Sequence, residues 1–191
     1  MKLEQTNRII IKIGSALLFN ETSGSLNKEW LNSLAEDVKY LRENDKEVII
    51  VSSGAIAMGA KDLDLDMKNM KMDMNQAVSA VGQIHLMGSF KSAFEKNEIK
   101  ISQILLTLDD TEQRRRSINA RRTIDTLLKL GIVPVVNEND TIATSEIRYG
   151  DNDRLASRVA QITSADCLIL LSHLNGLYSA DPSTDELSLI H

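Results

Sequence analysis

Ile9-Ile10-Ile11-Lys12-Ile13-Gly14-Ser15 is an apolar run that carries one ammonium group and stops at a turn. Its length and its terminating glycine mark it as a buried strand. The lysine is the odd member. Burying an ammonium is costly unless it meets an anion. A lysine is a compact point charge well matched to phosphate. The strand therefore predicts two things at once: a place in a sheet, and a charged group at the end of that sheet.

Working outward, the same arrangement recurs. Val48-Ile49-Ile50-Val51 is a second apolar strand and ends in Ser52-Ser53-Gly54. Ile99 to Leu106 reads as a third strand. Ile132-Val133-Pro134-Val135-Val136 is a fourth and ends in Asn137-Glu138-Asn139-Asp140. Cys167 to Leu171 is a fifth and ends in Ser172-His173. Pro134 lacks a ladder donor, which predicts an edge position or a local irregularity. The single cysteine, Cys167, has no partner for an internal disulfide and reads as a buried thiol.

Between these runs the apolar period changes to that of a helix. Trp30, Leu31, Leu34, Val38 and Leu41 mark a helix over about 27–43. Ala80, Ile84, Met87, Phe90 and Phe94 mark a second stripe over 76–96. Asp109 or Asp110 caps a third helix, which runs to about Lys129 and is closed by Gly131. Residues 153–163 form a fourth. Continuous apolar strands alternating with helices predict a mainly parallel sheet covered on both faces, a three-layer α/β/α sandwich. In such sheets ligands gather beyond the carboxyl ends of the strands. The candidate groups cluster at those ends.

Composition narrows the function. The 191 residues are 42% hydrophobic and 26% charged, which suits one globular domain over 1–191. A net charge of −5 argues against nucleic acid as the main partner. No run of about 18 apolar residues is present, and the N-terminus lacks the apolar core of a signal peptide. Arg114-Arg115-Arg116 and Arg121-Arg122 read first as a solvated helix face. Met67, Met70 and Met74 fit one helical face that packs in the core or against another subunit, with a mobile flap as the alternative.

Phosphoryl transfer needs positioned positive charge and hydrogen-bond donors. Lys12 supplies the charge, and the backbone at Gly14-Ser15 offers donors. Ser52-Ser53-Gly54 reads either as an anion site or as an ordinary serine cap. Gly54 and Gly59 have the spacing of a P-loop, but Ala60 stands where that loop requires lysine, so the loop is rejected. One Asp of Gly150-Asp151-Asn152-Asp153 is explained by capping; two Asp and an Asn are not. His85, His173, His191 and Cys167 are too scattered for a zinc site, and no protein metal site is expected.

These segments, with Asn119-Ala120-Arg121 and Gly176-Leu177-Tyr178-Ser179-Ala180-Asp181-Pro182, resemble the amino acid kinase superfamily. Within it they look most like the branch that phosphorylates glutamate. The resemblance implies transfer from ATP, with Mg2+, to the L-glutamate side-chain carboxylate, giving L-glutamyl 5-phosphate at the first step of proline biosynthesis. It implies a cytoplasmic homo-oligomer, with proline as a possible feedback inhibitor. By position, Lys12 contacts the ATP phosphates and Asp153 organises the catalytic lysines. Ser53, Asp140 and Asn152 bind glutamate. Gly14, Ser15, Ser172 and His173 lie at the nucleotide. Two departures are expected to matter. The superfamily usually has Asp where this chain has His173. Its Gly-rich segment and second active-site lysine lie further on, with no equivalent before His191, and no C-terminal RNA-binding-like domain is present. The expectation is a C-terminally truncated kinase domain with weak or absent turnover. The alternatives are a sister kinase for acetylglutamate or aspartate, and a glutamate-binding module without complete ATP chemistry.

Overall fold

The computed structural model describes residues 3–20, 25–68, 70–143, 151–172, 177–179 and 189–190. After a short 3-10 turn at Leu3–Gln5, the elements are β1 (Arg8–Ile13), α1 (Ser15–Leu18), α2 (Lys28–Glu43), β2 (Glu47–Val51), α3 (Ala55–Asp62) and α4 (Met72–Glu95). There follow β3 (Ile101–Leu106), α5 (Leu108–Glu112), α6 (Arg114–Lys129), β4 (Val133–Glu138), α7 (Asp151–Thr163), β5 (Cys167–Leu171), β6 (Leu177–Tyr178) and β7 (Leu189–Ile190). Five strands form one sheet in the order β3-β4-β2-β1-β5, with every neighbouring pair parallel. β6 and β7 pair as a small antiparallel ribbon.

The two faces of the sheet follow from the alternation of side chains along a strand. Ile9, Ile11 and Ile13 point to one side, where they pack with Leu31 and Val38 of α2 and Leu86, Phe90 and Phe94 of α4. Ile10, Ile49 and Val51 point to the other, against Ala120 and Ile124 of α6 and Leu155 and Val159 of α7. The strands are apolar on both sides because helices cover both sides, as expected. Each fully buried Ile or Leu here contributes about 1.5–3 kcal/mol. Lys12 has the parity of Ile10, so its stem leaves the sheet on the α6/α7 side.

Several local expectations are corrected. Pro134 lies in β4, an interior strand. The N–H groups of Val133 and Asn139 both go to the β3 side, onto Lys100 O and Leu106 O. By alternation the Pro134 nitrogen faces β2, whose pairing with β4 begins only at Ile50↔Val135. The missing donor therefore falls just before that ladder starts. Cys167 is only half-buried, because β5 is an outer strand of the described sheet. The expected helix from Asp109 to Lys129 is two helices, α5 and α6, with extended Gln113 between them. Its cap is Thr107, in a reciprocal capping box with Asp110. Gly131 does close α6, at φ 72°.

The helix α4 starts four residues earlier than expected, and its buried stripe is rotated. Val78, Ser79, Gly82, Gln83, Leu86, Phe90 and Phe94 are buried, while Ile84 and Ala80 are exposed. Counting apolar residues missed this because the closest approach is made by small and polar residues. Met67 and Met70 lie in the link before α4 rather than on one helical face with Met74, and Met67 and Met74 are exposed. The five arginines of α6 are all exposed. Arg116 pairs with Asp110 at 2.9 Å and Arg121 with Asp125 at 3.6 Å, consistent with a solvated face.

Candidate active site

Because all five strands run the same way, their carboxyl ends share one edge of the sheet. That edge gathers Gly14 after β1, Ser53 after β2, Asn139-Asp140 after β4 and Ser172 after β5. The helix α7, which follows the β4 loop, brings Asn152 and Asp153 to the same side as Lys12.

Lys12 is buried, with 8% of its surface exposed. Its Nζ lies 2.6 Å from Oδ1 of Asp153, whose side chain is half-exposed. The ammonium thus reaches the edge of the sheet and is held there by a carboxylate that still faces water. The Gly14 backbone runs alongside: a Cβ on that residue would lie 3.8 Å from Lys12 Nζ. The N–H of Gly14 donates to Leu171 O at 3.1 Å. That donor is committed to β5, so of the two backbone donors expected at this turn only Ser15's remains for a ligand.

Ser53 is tied to β1, with its Oγ donating to Ile13 O at 3.0 Å. The serine-cap reading of this turn does not hold. The N-cap of α3 is Gly54, in the left-handed region at φ 101°, with no side-chain cap bond. Gly54 faces the Phe19 ring so closely that a Cβ would come within 2.5 Å of it. Only glycine meets both demands. Gly59, the second glycine of the rejected P-loop spacing, serves packing: it lies where α3 crosses α4.

Asp140 is buried, and Ser79 Oγ donates to its Oδ2 at 2.7 Å. Burial pushes its carboxyl above the ordinary range, and the Ser79 hydrogen bond works against that rise. Asn137 Oδ1 accepts from the Glu138 N–H at 2.9 Å, which leaves its buried Nδ2 without a partner among the described residues. Asn152 Oδ1 is likewise buried without one. Unmet buried polar atoms of this kind call for a ligand or water. Ser172 is exposed at the end of β5. His173, Gly150 and the side chain of Asp151 lie outside the described residues. The structure thus joins Lys12 to Asp153 directly and links Ser53 to β1. It gives Asp140 a partner, Ser79, that no sequence motif singled out. The one signal available was a polar residue at helical spacing between Gln76 and Gln83 on a face that is buried.

Asp140 also makes stability depend on pH. Its pKa is higher in the folded chain than in the unfolded one, so it favours folding below the unfolded value and loses that contribution as pH rises through the folded value. Asp140→Asn keeps an acceptor for Ser79 and removes the buried charge. Thermal unfolding should show this variant more stable than the parent at about pH 8, with the difference shrinking toward about pH 4. A constant difference across that range would mean that Asp140 does not carry the strain.

Residues 7–190 match the amino acid kinase family. The chain belongs to that family. Among curated relatives it is 60% identical over 182 residues to a glutamate 5-kinase of Pelagibacter ubique, covering 95% of this chain and 49% of the relative. It is 54% identical to a glutamate 5-kinase of Rhodospirillum rubrum, covering 92% and 47%. The chain spans about half the length of the curated relatives it matches. In fold it is similar to the isopentenyl phosphate kinase of T. acidophilum, with a TM-score of 0.64 at 15% identity over 96% of this chain and 78% of that one. A second isopentenyl phosphate kinase structure gives 0.65 at 15% identity. The α/β/α reading and the family resemblance both hold. Among the described residues no helix is long and apolar enough to cross a membrane.

Proposed function

We propose that this chain forms the phosphate- and substrate-facing part of an ATP-dependent kinase acting on the side-chain carboxylate of L-glutamate. A carboxylate oxygen attacks the γ-phosphorus, the bond from that phosphorus to the bridging oxygen breaks, and ADP leaves. The nucleophile is already ionised, so no base has to take a proton. The obstacle is the approach of one anion to another, and fixed positive charge lowers it. The observation that carries this reading is the Lys12–Asp153 pair at the carboxyl edge of the sheet, 2.6 Å apart. Lys12 stabilises charge on the transferring group, and Asp153 fixes where the ammonium sits.

The amino acid end of the substrate would meet Asp140, Asn152 and Ser53. Asp140 is the natural partner for an α-ammonium. Asn152 Oδ1 is an open acceptor for the same group. The Ser53 hydroxyl has given its one proton to Ile13 O, so it too faces the ligand as an acceptor. Three acceptors, one of them anionic, suit an ammonium. Gly14, Ser15, Ser172 and His173 would line the nucleotide. Mg2+ would supply charge neutralisation on the ATP phosphates. Among the described residues no three His, Cys, Asp or Glu are grouped to hold a metal, so the ion would come held mainly by the phosphates. The likeness to glutamate 5-kinases supports the substrate, a place at the start of proline synthesis and a cytoplasmic setting. The exposed Leu63, Leu65, Met67, Met72 and Met74 support a homo-oligomer. Proline as a feedback inhibitor is carried by the family likeness alone.

Calorimetric titration with glutamate, N-acetylglutamate and aspartate tests the reading. Acetylation removes the ammonium and would leave buried Asp140 facing an amide. Aspartate is one methylene short and would not span from Asp140 to the phosphate. Glutamate should bind at least about tenfold more tightly than either. A preference for N-acetylglutamate or aspartate would overturn the assignment.

A further inference from the structure

The loop that carries Asp140 is fastened to the helix α4 at two points. Ser79 Oγ donates to Asp140 Oδ2 at 2.7 Å, and Gln76 Nε2 donates to Ala143 O at 3.1 Å. Residues 76 and 79 are three apart, so they lie on one face of α4. Between these two points the loop closes on itself: the N–H groups of Ile142 and Ala143 both donate to Asn139 O, at 3.2 and 3.1 Å. One bond fixes the charged group, and the other fixes the far end of the turn.

We infer that Ser79 and Gln76 are positioning residues for the amino acid substrate, with Ser79 holding the Asp140 carboxylate in place and in its charged form. This rests on the proposal above that Asp140 receives the ammonium of glutamate. The rigidity of α4 makes the fastening meaningful. The helix is locked against α3 at the Gly59–Gly82 crossing, and α3 begins just after Ser53-Gly54. Hence α4 relates the Ser53 side of the site to the Asp140 side.

The chemistry of Ser79 is specific. A carboxylate out of water is stabilised by each hydrogen bond to its charged form. With Oδ2 occupied by the hydroxyl, Oδ1 is left to meet an ammonium. The other ionisable groups near this edge do not replace Ser79. Lys12 and Asp153 satisfy each other. Glu138, at the end of β4, carries a carboxyl group and brings no positive charge to Asp140. Asp110, beyond β3, is held by Thr107 and Arg116. On α4 itself no charged residue lies between Asp73 and His85, both exposed. Among the described residues, burial and the Ser79 hydrogen bond are what act on Asp140.

The test is glutamate titration of the intact chain and of Ser79→Ala and Gln76→Ala at several pH values, with affinity for a non-hydrolysable ATP analogue as the reference. Alanine suits a helix and nearly matches serine in volume, so Ser79→Ala should fold. It should bind glutamate about tenfold more weakly near neutral pH. The acid limb of its binding profile should move to higher pH, because the carboxylate protonates more readily without the hydroxyl. Affinity for the ATP analogue should stay unchanged. Gln76→Ala should weaken glutamate by a smaller factor with no movement of the limb, since it holds the turn and not the charge. If Ser79→Ala keeps the parent affinity and the parent acid limb, the inference is overturned while the glutamate assignment stands. If the unaltered chain fails to bind glutamate, the assignment falls and this inference with it.

Discussion

Lys12→Ala is expected to lower the rate of phosphoryl transfer by about a hundred- to a thousandfold, the usual consequence of losing one fixed charge-stabilising group. On the proposed reading the ammonium acts where charge develops and not where the amino acid is gripped, so the loss should appear in kcat more than in the KM for glutamate. The fold should survive. Asp153, left without its partner, has a half-exposed side chain and can be hydrated. Ion pairs with one solvated member contribute little to stability. The emptied space beside Val51 and Leu170, which flank Lys12 in the sheet, opens at the edge where water can enter. Asp153→Asn should give a smaller loss, since it frees the ammonium without removing it. Parallel assays of kcat, KM and thermal unfolding check this. Retained turnover in Lys12→Ala would remove this residue from the mechanism. A large fall in melting temperature would make it structural.

Lys12 also shows why much of the fold could be read from the chain. A central strand of a parallel sheet is apolar on both faces, so any charge within it stands out. Ile9–Ile13 and Val48–Val51 have no amphipathic ambiguity for this reason, and helices on both sides of a parallel sheet follow directly. The turns after them were legible because small and polar residues abruptly replace branched ones. What could not be read depends on contacts between distant segments. Nothing local shows that the Pro134 nitrogen points to a place where β2 has not yet begun to pair. Nothing local shows that the Gly14 donor is taken by Leu171, or that the cap of α3 is Gly54 and not a serine.

The candidate site divides in the same way. Lys12 and Asp153 lie on different elements, and their meeting follows from the parity of β1 and the placement of α7 on that face. Ser79 was invisible because its meaning comes from Asp140, 61 residues away in sequence. In the sequence it breaks an apolar stripe, and the natural response is to rotate the stripe until it falls outside. A stripe drawn through Ala80, Ile84 and Met87 leaves Ser79 outside and puts Ile84, which is 75% exposed, on the buried face. A helix that packs backbone to backbone buries its smallest residues, and hydrophobic periodicity gives glycine and serine no weight.

The same helix yields a prediction with an internal control. Gly82→Ala is expected to destabilise the chain by about 3 kcal/mol or more, a large share of a typical domain's stability. An added Cβ at position 82 would lie 1.8 Å from Ala55 O and 2.6 Å from the Gly59 nitrogen. Both obstacles are backbone, so no side chain can turn away to make room. The helices α3 and α4 would have to separate, and with them the ends that carry Ser53 and hold Asp140. Alanine's better helix propensity recovers only about 1 kcal/mol. Gly88, six residues along the same helix, receives the same atom into open space, with nothing within 4 Å. There the propensity gain stands alone, and Gly88→Ala should stabilise the chain by about 0.5–1 kcal/mol. One chemical change in one helix should therefore act with opposite signs at two sites. Denaturant unfolding of both variants measures it. If Gly82→Ala were as stable as Gly88→Ala, the close crossing of α3 and α4 would be wrong, and so would the account of how α4 relates the two sides of the site.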